Sequence, residues 1–273
     1  MRAGDIVDLE LELLLQAIHS RYQYDFRHYA RSSLKRRLAR ALSRFGADSL
    51  SQLQARLLRE PAFFAELIAY LTVPTTELFR DPDYFRTLRE QVVPYLRTYP
   101  SLKVWIAGCS TGEELYSMAI LLREEGLLAK TILYATDINP HSLQAAKRGI
   151  YRAEAMRRAS EQYFLAGGKA SLSDYYSAAY DAVRFDPTLI EQAVISDHSL
   201  ATDAVFAEVH LVSCRNVLIY FDRELQDRAF GLFDEALVRQ GFLGLGSKET
   251  IHFSSRKHAF EPVCSNARVY RKR

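Results

Sequence analysis

The stretch VWIAGCSTGEELYS, Val104 to Ser117, constrains the fold more than any other part of the chain. An apolar run meets a turn carrying Gly108 and Gly112, and two glutamates, Glu113 and Glu114, follow at once. KVWIA (103–107) has the character of a short buried strand, and the glycines mark a tight turn into a helix. Ser110 and Glu113 have capping-box spacing, which predicts that the helix begins inside the turn. TILYATDINP reads as a second strand ending at Asp137, with Asn139 and Pro140 opening the next helix. AVIS, EVHLVSC and GFLGLGS are further short apolar runs, and DRELQDRAFGLFDEAL predicts a helix capped by Asp222. Strands alternating with helices predict an α/β doubly wound sheet. The stretch 160–192 is tyrosine-rich and alternating, and reads as a small inserted β-rich piece.

In such a sheet the ligand lies over the glycine turn, at the C-terminal ends of the strands. Gly108 and Gly112 are expected to let the backbone approach it. Asp137, closing the second strand, is placed to accept hydrogen bonds from ribose hydroxyls, a feature a dinucleotide site would share. GCSTG is not G-x-G-x-x-G, however, and a pyrophosphate about 4 Å from Glu113 and Glu114 would be repelled by more than ~1 kcal/mol. Carboxylates there suit a ligand with a sugar, an ammonium and a sulfonium, which describes S-adenosylmethionine (SAM). Local roles remain open for two of these acids: Glu113 as the capping-box residue and Asp137 as the cap of the following turn.

Residues 5 to about 75 carry helical periodicity with few glycines. Within them RHYARSSLKRRLARALSR (27–44) holds seven Lys/Arg and no acid. Leu34, Leu38, Ala41 and Phe45 share one face at 100° per residue, with Arg36, Arg37, Arg40 and Arg44 on a flank. The flank fits either a solvated face or a docking surface for an acidic partner. Asp81 before Pro82 has the form of an N-cap followed by proline at the first helical position, which leaves Arg80 just outside a helix, free to turn toward a neighbouring site. The net charge is only +3, so any basic function is local. Cys109, Cys214 and Cys264 lie far apart with no ligand spacing, which predicts reduced thiols and no metal site. MRAGDIVDLELELLL is too acidic for a secretory leader, and no apolar run has membrane-spanning length, so a cytoplasmic protein without direct membrane insertion is expected.

ELFRDPDYF, VWIAGCSTGEELYSMA, ATDINPHSLQAAKRGIY and SCRNVLIYFDRELQ, in this order and spacing, resemble the CheR family of SAM-dependent protein-glutamate O-methyltransferases of chemotaxis. The resemblance runs from about Leu71 to Gly246 and more loosely through the N-terminal helices. It implies a helical N-terminal domain (1–75) whose basic helix meets chemoreceptor cytoplasmic helices. It also implies a Rossmann-like methyltransferase domain (76–273) with an inserted antiparallel β-subdomain (160–192). By resemblance Thr76 and Arg80 close over SAM, Glu114 holds it in the first turn, and Asp137 holds the ribose. Ser199 and Leu200 would flank the adenine, Arg215 and Asn216 line the reaction side, and Tyr220 lies near the transferring methyl. Arg80 and Tyr220 are the implied catalytic pair, and S-adenosylhomocysteine (SAH) the implied product. Four positions depart from the family pattern: Leu115 replaces a proline, Ser199 an asparagine and Pro74 an asparagine, and Glu249 stands in GSKE with no role assigned.

Methylating a glutamate is an in-line displacement by a carboxylate already ionised near neutral pH, since an unperturbed Glu titrates at about 4.3. No general base is required. The enzyme must supply position and a dry site, with Arg80 and Arg215 as candidates for orienting carboxylates through forked hydrogen bonds. Tyr220 has an equally available place as a half-buried core tyrosine. Competing readings are a SAM- or SAH-binding signalling module without turnover, a nucleic-acid methyltransferase and an NAD(P) oxidoreductase. The near-neutral net charge and the lack of an N-P-P-Y-like loop oppose a nucleic-acid substrate, and the paired acids oppose a dinucleotide.

Overall fold

A computed structural model describes residues 3–73 and 76–273. Pro74, and the expected domain boundary at 75, lie outside the described residues. The chain forms two compact units, one of residues 1–73, 199–203 and 220–229 and one of residues 74–198, 204–219 and 230–273.

The first unit is helical: α1 (Ala3–Tyr22), α2 (Arg31–Phe45), α3 (Leu50–Arg59) and α4 (Pro61–Leu71). Each begins or ends where its sequence dictates. Ser49 accepts the Gln52 N–H and opens α3, Pro61 starts α4, and Gly46 ends α2 with φ +62°. Leu11, Leu14, Leu15 and Ile18 of α1 and Leu34, Leu38 and Ala41 of α2 are buried with Leu53, Leu57, Phe63 and Leu67. Arg37 is buried with them rather than standing on the exposed flank. Its guanidinium donates to the carbonyls of Ser33 (3.2 Å) and Leu71 and lies 5.6 Å from the Tyr220 ring centroid. Arg36, Arg40 and Arg44 are exposed as expected and have no ion pair among the described residues. The acids missing from α2 itself come from α1, where Asp8 pairs with Lys35 and Glu12 with Arg31.

The second unit begins with α5 (Pro82–Thr87), a π-turn over Leu88–Val92 and α6 (Val93–Leu96). There follow β1 (Leu102–Ala107), α7 (Glu113–Glu124), β2 (Thr131–Asp137), α8 (Pro140–Arg148), β3 (Ile150–Arg152) and α9 (Met156–Leu165). The remainder is β4 (Tyr176–Ala179), β5 (Ala182–Phe185), β6 (Ala193–Asp197), β7 (Val209–Cys214), α10 (Arg223–Ala236), β8 (Leu237–Leu245), β9 (Phe260–Cys264) and β10 (Val269–Lys272). Residues of α10 from Phe230 onward belong to this unit.

The main sheet has the order β6-β2-β1-β7-β8-β10-β9, parallel from β6 through β8 and antiparallel at β10 and β9. β1 is the middle strand of the five parallel ones, and Val104 through Ala107 are all buried, as a strand covered on both faces requires. The chain runs outward from β1 to β2 and β6 on one side, then to β7 and β8 on the other. The switch point of the sheet is therefore the boundary between β1 and β7, the place where sheets of this kind take their ligands.

The expected small antiparallel sheet is present, in the order β3-β5-β4. It draws its first strand from Ile150–Arg152, ahead of residue 160, and residues 156–165 are helical rather than strand. α9 is held to α7 through Glu124, which accepts the Tyr163 and Tyr175 hydroxyls and the Lys169 N–H. Arg89, on the π-turn, bridges Glu124 and Glu125. The cysteines are free thiols, Cys109 and Cys214 being buried.

Candidate active site

The turn after β1 differs in detail from its sequence reading. α7 begins at Glu113 with Gly112 before it, and no capping box forms. Ser110 sits at φ +50°, where its hydroxyl cannot reach back to cap, and Glu113 instead accepts the Thr111 hydroxyl at 2.7 Å. Gly108 and Gly112 have φ of +74° and +99°. A Cβ on Gly108 would collide with the Val217 side chain, and one on Gly112 would stand 2.8 Å from Ala146. Both glycines are thus required by the turn and by neighbouring chain.

The two glutamates part company here. Glu113 lines a cavity of about 540 Å³ together with Thr76, Thr111, Tyr151 and Met156, and burial pushes its carboxyl up. Glu114 faces β7: its carboxylate accepts the Ser213 hydroxyl at 2.6 Å and Arg215 Nη1 at 3.2 Å. Tyr84 completes the chain with its hydroxyl 2.7 Å from Ser213 Oγ, and the Arg215 guanidinium carbon stacks 4.2 Å from the Tyr84 ring centroid. Arg215, with its side chain 1% exposed, also donates to Asp81 (2.8 Å) and to the Arg80 carbonyl (2.7 Å).

That fork changes the reading of both residues. Asp81 precedes α5 as expected, with Pro82 at the first helical position, but its side chain does not cap. It takes φ +55° and gives its carboxylate to Arg215. Arg215 thus gives both terminal nitrogens to protein oxygens, while its Nε is buried without a hydrogen-bond partner. Arg80 is fixed through its backbone, and its half-exposed side chain follows Phe79, whose N–H donates to Ser117 Oγ at 2.8 Å.

Asp137 closes β2 on the other side of the turn. One oxygen accepts the Ser110 N–H (2.9 Å) and the other the Asn139 N–H (2.9 Å), so its local capping role is real. Asn139 caps α8 as expected, accepting the N–H groups of His141 and Ser142. Burial raises the Asp137 carboxyl above the ordinary aspartate value, and these N–H donors partly offset the rise. Ser110 Oγ, on the same turn, is buried without a hydrogen-bond partner. A spare hydroxyl and two acids, Asp137 and Glu114, flanking the β1 turn fit a ligand bearing a sugar and a positive charge.

Asn216 lies on the loop after β7 at φ +60°. Its N–H is accepted by Glu249, a residue the sequence left without a role. Ser199, Leu200 and Tyr220 belong to the first unit. There Ser199 N–H donates to Asp203 at 2.9 Å, Leu200 is buried, and the Tyr220 carbonyl accepts the Ala30 N–H at 2.7 Å. Among the described residues no cluster of His, Cys, Asp and Glu could hold a metal ion, and no helix is long and apolar enough to cross a membrane.

Residues 74–269 match the family model "CheR methyltransferase, SAM binding domain", and residues 9–72 match "CheR methyltransferase, all-alpha domain". The chain belongs to the CheR methyltransferase family. A Pseudomonas putida relative that carries the methyltransferase name Cher3 is 57% identical over 265 residues, 97% of each chain. The chemotaxis protein methyltransferase of Salmonella typhimurium is 30% identical, covering 89% of this chain and 84% of its own. That of Listeria monocytogenes is 28% identical, covering 90% and 92%. As a CheR methyltransferase the chain uses SAM as methyl donor.

Tyr84 and Ser213 were not singled out from sequence, Asp81 was expected only as a helix cap, and Glu249 was left without a role. Asp81, Tyr84 and Ser213 lie within the quoted motifs, and their polarity next to apolar neighbours is the one signal that marks them.

Proposed function

We propose that this CheR protein methylates glutamate side chains on the cytoplasmic helices of chemoreceptors, giving glutamyl methyl esters and SAH. The observation that carries this reading is Glu114, a carboxylate locked at the β1/β7 switch point by Arg215 and Ser213. Its fixed negative charge favours a cationic methyl donor over a neutral or anionic nucleotide. The bound donor supplies a methyl group on positively charged sulfur. The chain's residues do the rest: Asp137 receives the sugar hydroxyls, Glu114 holds the cationic end, and Thr76 and Arg80 exclude water above it. Ser199 and Leu200 flank the adenine, Asn216 lines the reaction side, and Tyr220 places the acceptor oxygen. The names of the Salmonella and Listeria relatives support the chemotaxis setting, and a cytoplasmic location belongs to the same proposal. The decisive experiment is a filter assay with tritiated SAM and receptor cytoplasmic fragments. Base-labile label on the receptor is expected; donor binding without label transfer would make the protein a signalling module.

Asp137→Asn is expected to weaken SAM binding by about 1–3 kcal/mol in calorimetry, the loss of a charged acceptor. Wild-type affinity should also fall on acidification. Because burial raises this carboxyl, the fall begins at a higher pH than an aspartate with the ordinary value of 3.8 would give. Affinity flat across that range would remove Asp137 from the ribose site.

Arg36, Arg40 and Arg44 support the docking role of the basic helix, and Arg37 supports the helix from within. Affinity for an acidic receptor fragment should drop as salt shortens the screening length below about 8–10 Å. Reversing Arg36, Arg40 and Arg44 to Glu should abolish that salt dependence while leaving SAH binding intact. Salt-independent affinity in the wild type would return the face to ordinary solvation.

A further inference from the structure

We infer that Glu249 is a positioning residue that holds segment 216–219 in the shape needed to bind the methyl donor. The inference rests on the donor-binding reading above. Glu249 is 4% exposed, yet none of its hydrogen bonds comes from a cationic side chain. Five main-chain N–H groups converge on its carboxylate instead. One oxygen accepts from Val217 (2.9 Å), Leu218 (2.7 Å) and Ile219 (3.3 Å), and the other from Asn216 (3.0 Å) and Gly246 (2.6 Å).

The geometry explains why an acid is needed. Leu218 opens a short helical turn, and the first N–H groups of any helical turn lack partners within it. A neutral side chain offers one acceptor atom for such a group; a carboxylate offers two, each able to take several donors. Asn216 bears a further demand, since its φ of +60° is left-handed, a conformation that Asn tolerates better than most residues with a Cβ but that neighbours must still hold in place. Glu249 enforces it from the end of β8, the strand beside β7. The fit leaves no slack: a Cβ on Gly246 would lie 2.7 Å from the Glu249 carboxylate and 2.8 Å from the Asn216 nitrogen. Arg215, one residue before this segment, is the cation that grips Glu114 and Asp81. Glu249 therefore ties the loops after β7 and β8 into one unit and sets where both Arg215 and Asn216 stand.

The test compares Glu249→Gln, Glu249→Asp and the wild type by calorimetric titration with SAH and by amide hydrogen exchange. Glu249→Gln keeps the side-chain volume but turns an amide NH₂ toward N–H donors. It is expected to bind SAH at least tenfold more weakly, with amides 216–219 exchanging at least tenfold faster and those of β1 and β2 still protected. Glu249→Asp keeps the charge and should recover part of both, and it carries the test should the glutamine variant not fold. Unchanged SAH affinity or unchanged exchange at 216–219 in a folded variant, or loss of protection throughout the sheet in Glu249→Asp, would each overturn the inference. A wild-type protein that does not bind SAH would refute the donor-binding reading and the donor half of this inference with it. The exchange arm would then decide alone whether Glu249 holds the segment.

Discussion

Arg80→Ala lowers methyl transfer by about 100-fold or more, the scale of removing one preorganised electrostatic contact from a transition state, while leaving thermal unfolding nearly unchanged. The two halves of this expectation come from different parts of the residue. Its backbone is pinned, with the carbonyl held by Arg215 and the preceding Phe79 N–H held by Ser117, so truncation does not loosen the chain. Its side chain is half-buried, so less packing is lost than at a core position. Single-turnover kinetics with a receptor fragment separate the chemical step from binding. Wild-type turnover in the folded variant would take Arg80 off the catalytic list.

Arg215→Ala should fail in the opposite way. Here the guanidinium is buried between two carboxylates and stacked on Tyr84, and removing it leaves Glu114 with its charge but without its cation. Breaking a buried pair of this kind costs about 3–5 kcal/mol. The lower end applies, because the Asp81 side chain is 37% exposed and water can take over its share, while Ser213 still donates to Glu114. Urea unfolding should show the loss in the absence of any ligand. Stability equal to wild type would mean that the Arg215–Glu114 contact contributes nothing to the fold. Added SAH should recover less stability in this variant than in wild type, since Glu114, the acid proposed to hold the donor, is no longer fixed by Arg215.

The parts of this molecule that repeat locally were readable from sequence. β1, its turn and α7 follow from one apolar run, two glycines and the residues after them, and Asn139–Pro140 announces α8 in the same way. Arg37 was misplaced although its spacing was on view: Leu34, Arg37, Leu38 and Ala41 make one inward stripe, and only the preference for charge outside argued otherwise. The capping box failed because the Ser110 backbone is left-handed, which spacing alone does not reveal. What sequence could not supply were partnerships over long separations. Tyr84 with Ser213, Arg215 with Asp81 and Glu249 with the Asn216 loop each join residues far apart in the chain, on different elements or loops. Nothing in the local pattern of either partner encodes the other.

The run from Tyr84 through Ser213 to Glu114 has a directional consequence. A carboxylate has no proton to give, so the serine hydroxyl must point at Glu114, and the phenol must then point at the serine. One fixed charge at the switch point thus orients two hydroxyl dipoles stretching into the interior, and each reinforces the next. Exchanging that acid for its amide would let the row run in either sense. The switch point would lose polarity contributed by atoms buried behind it.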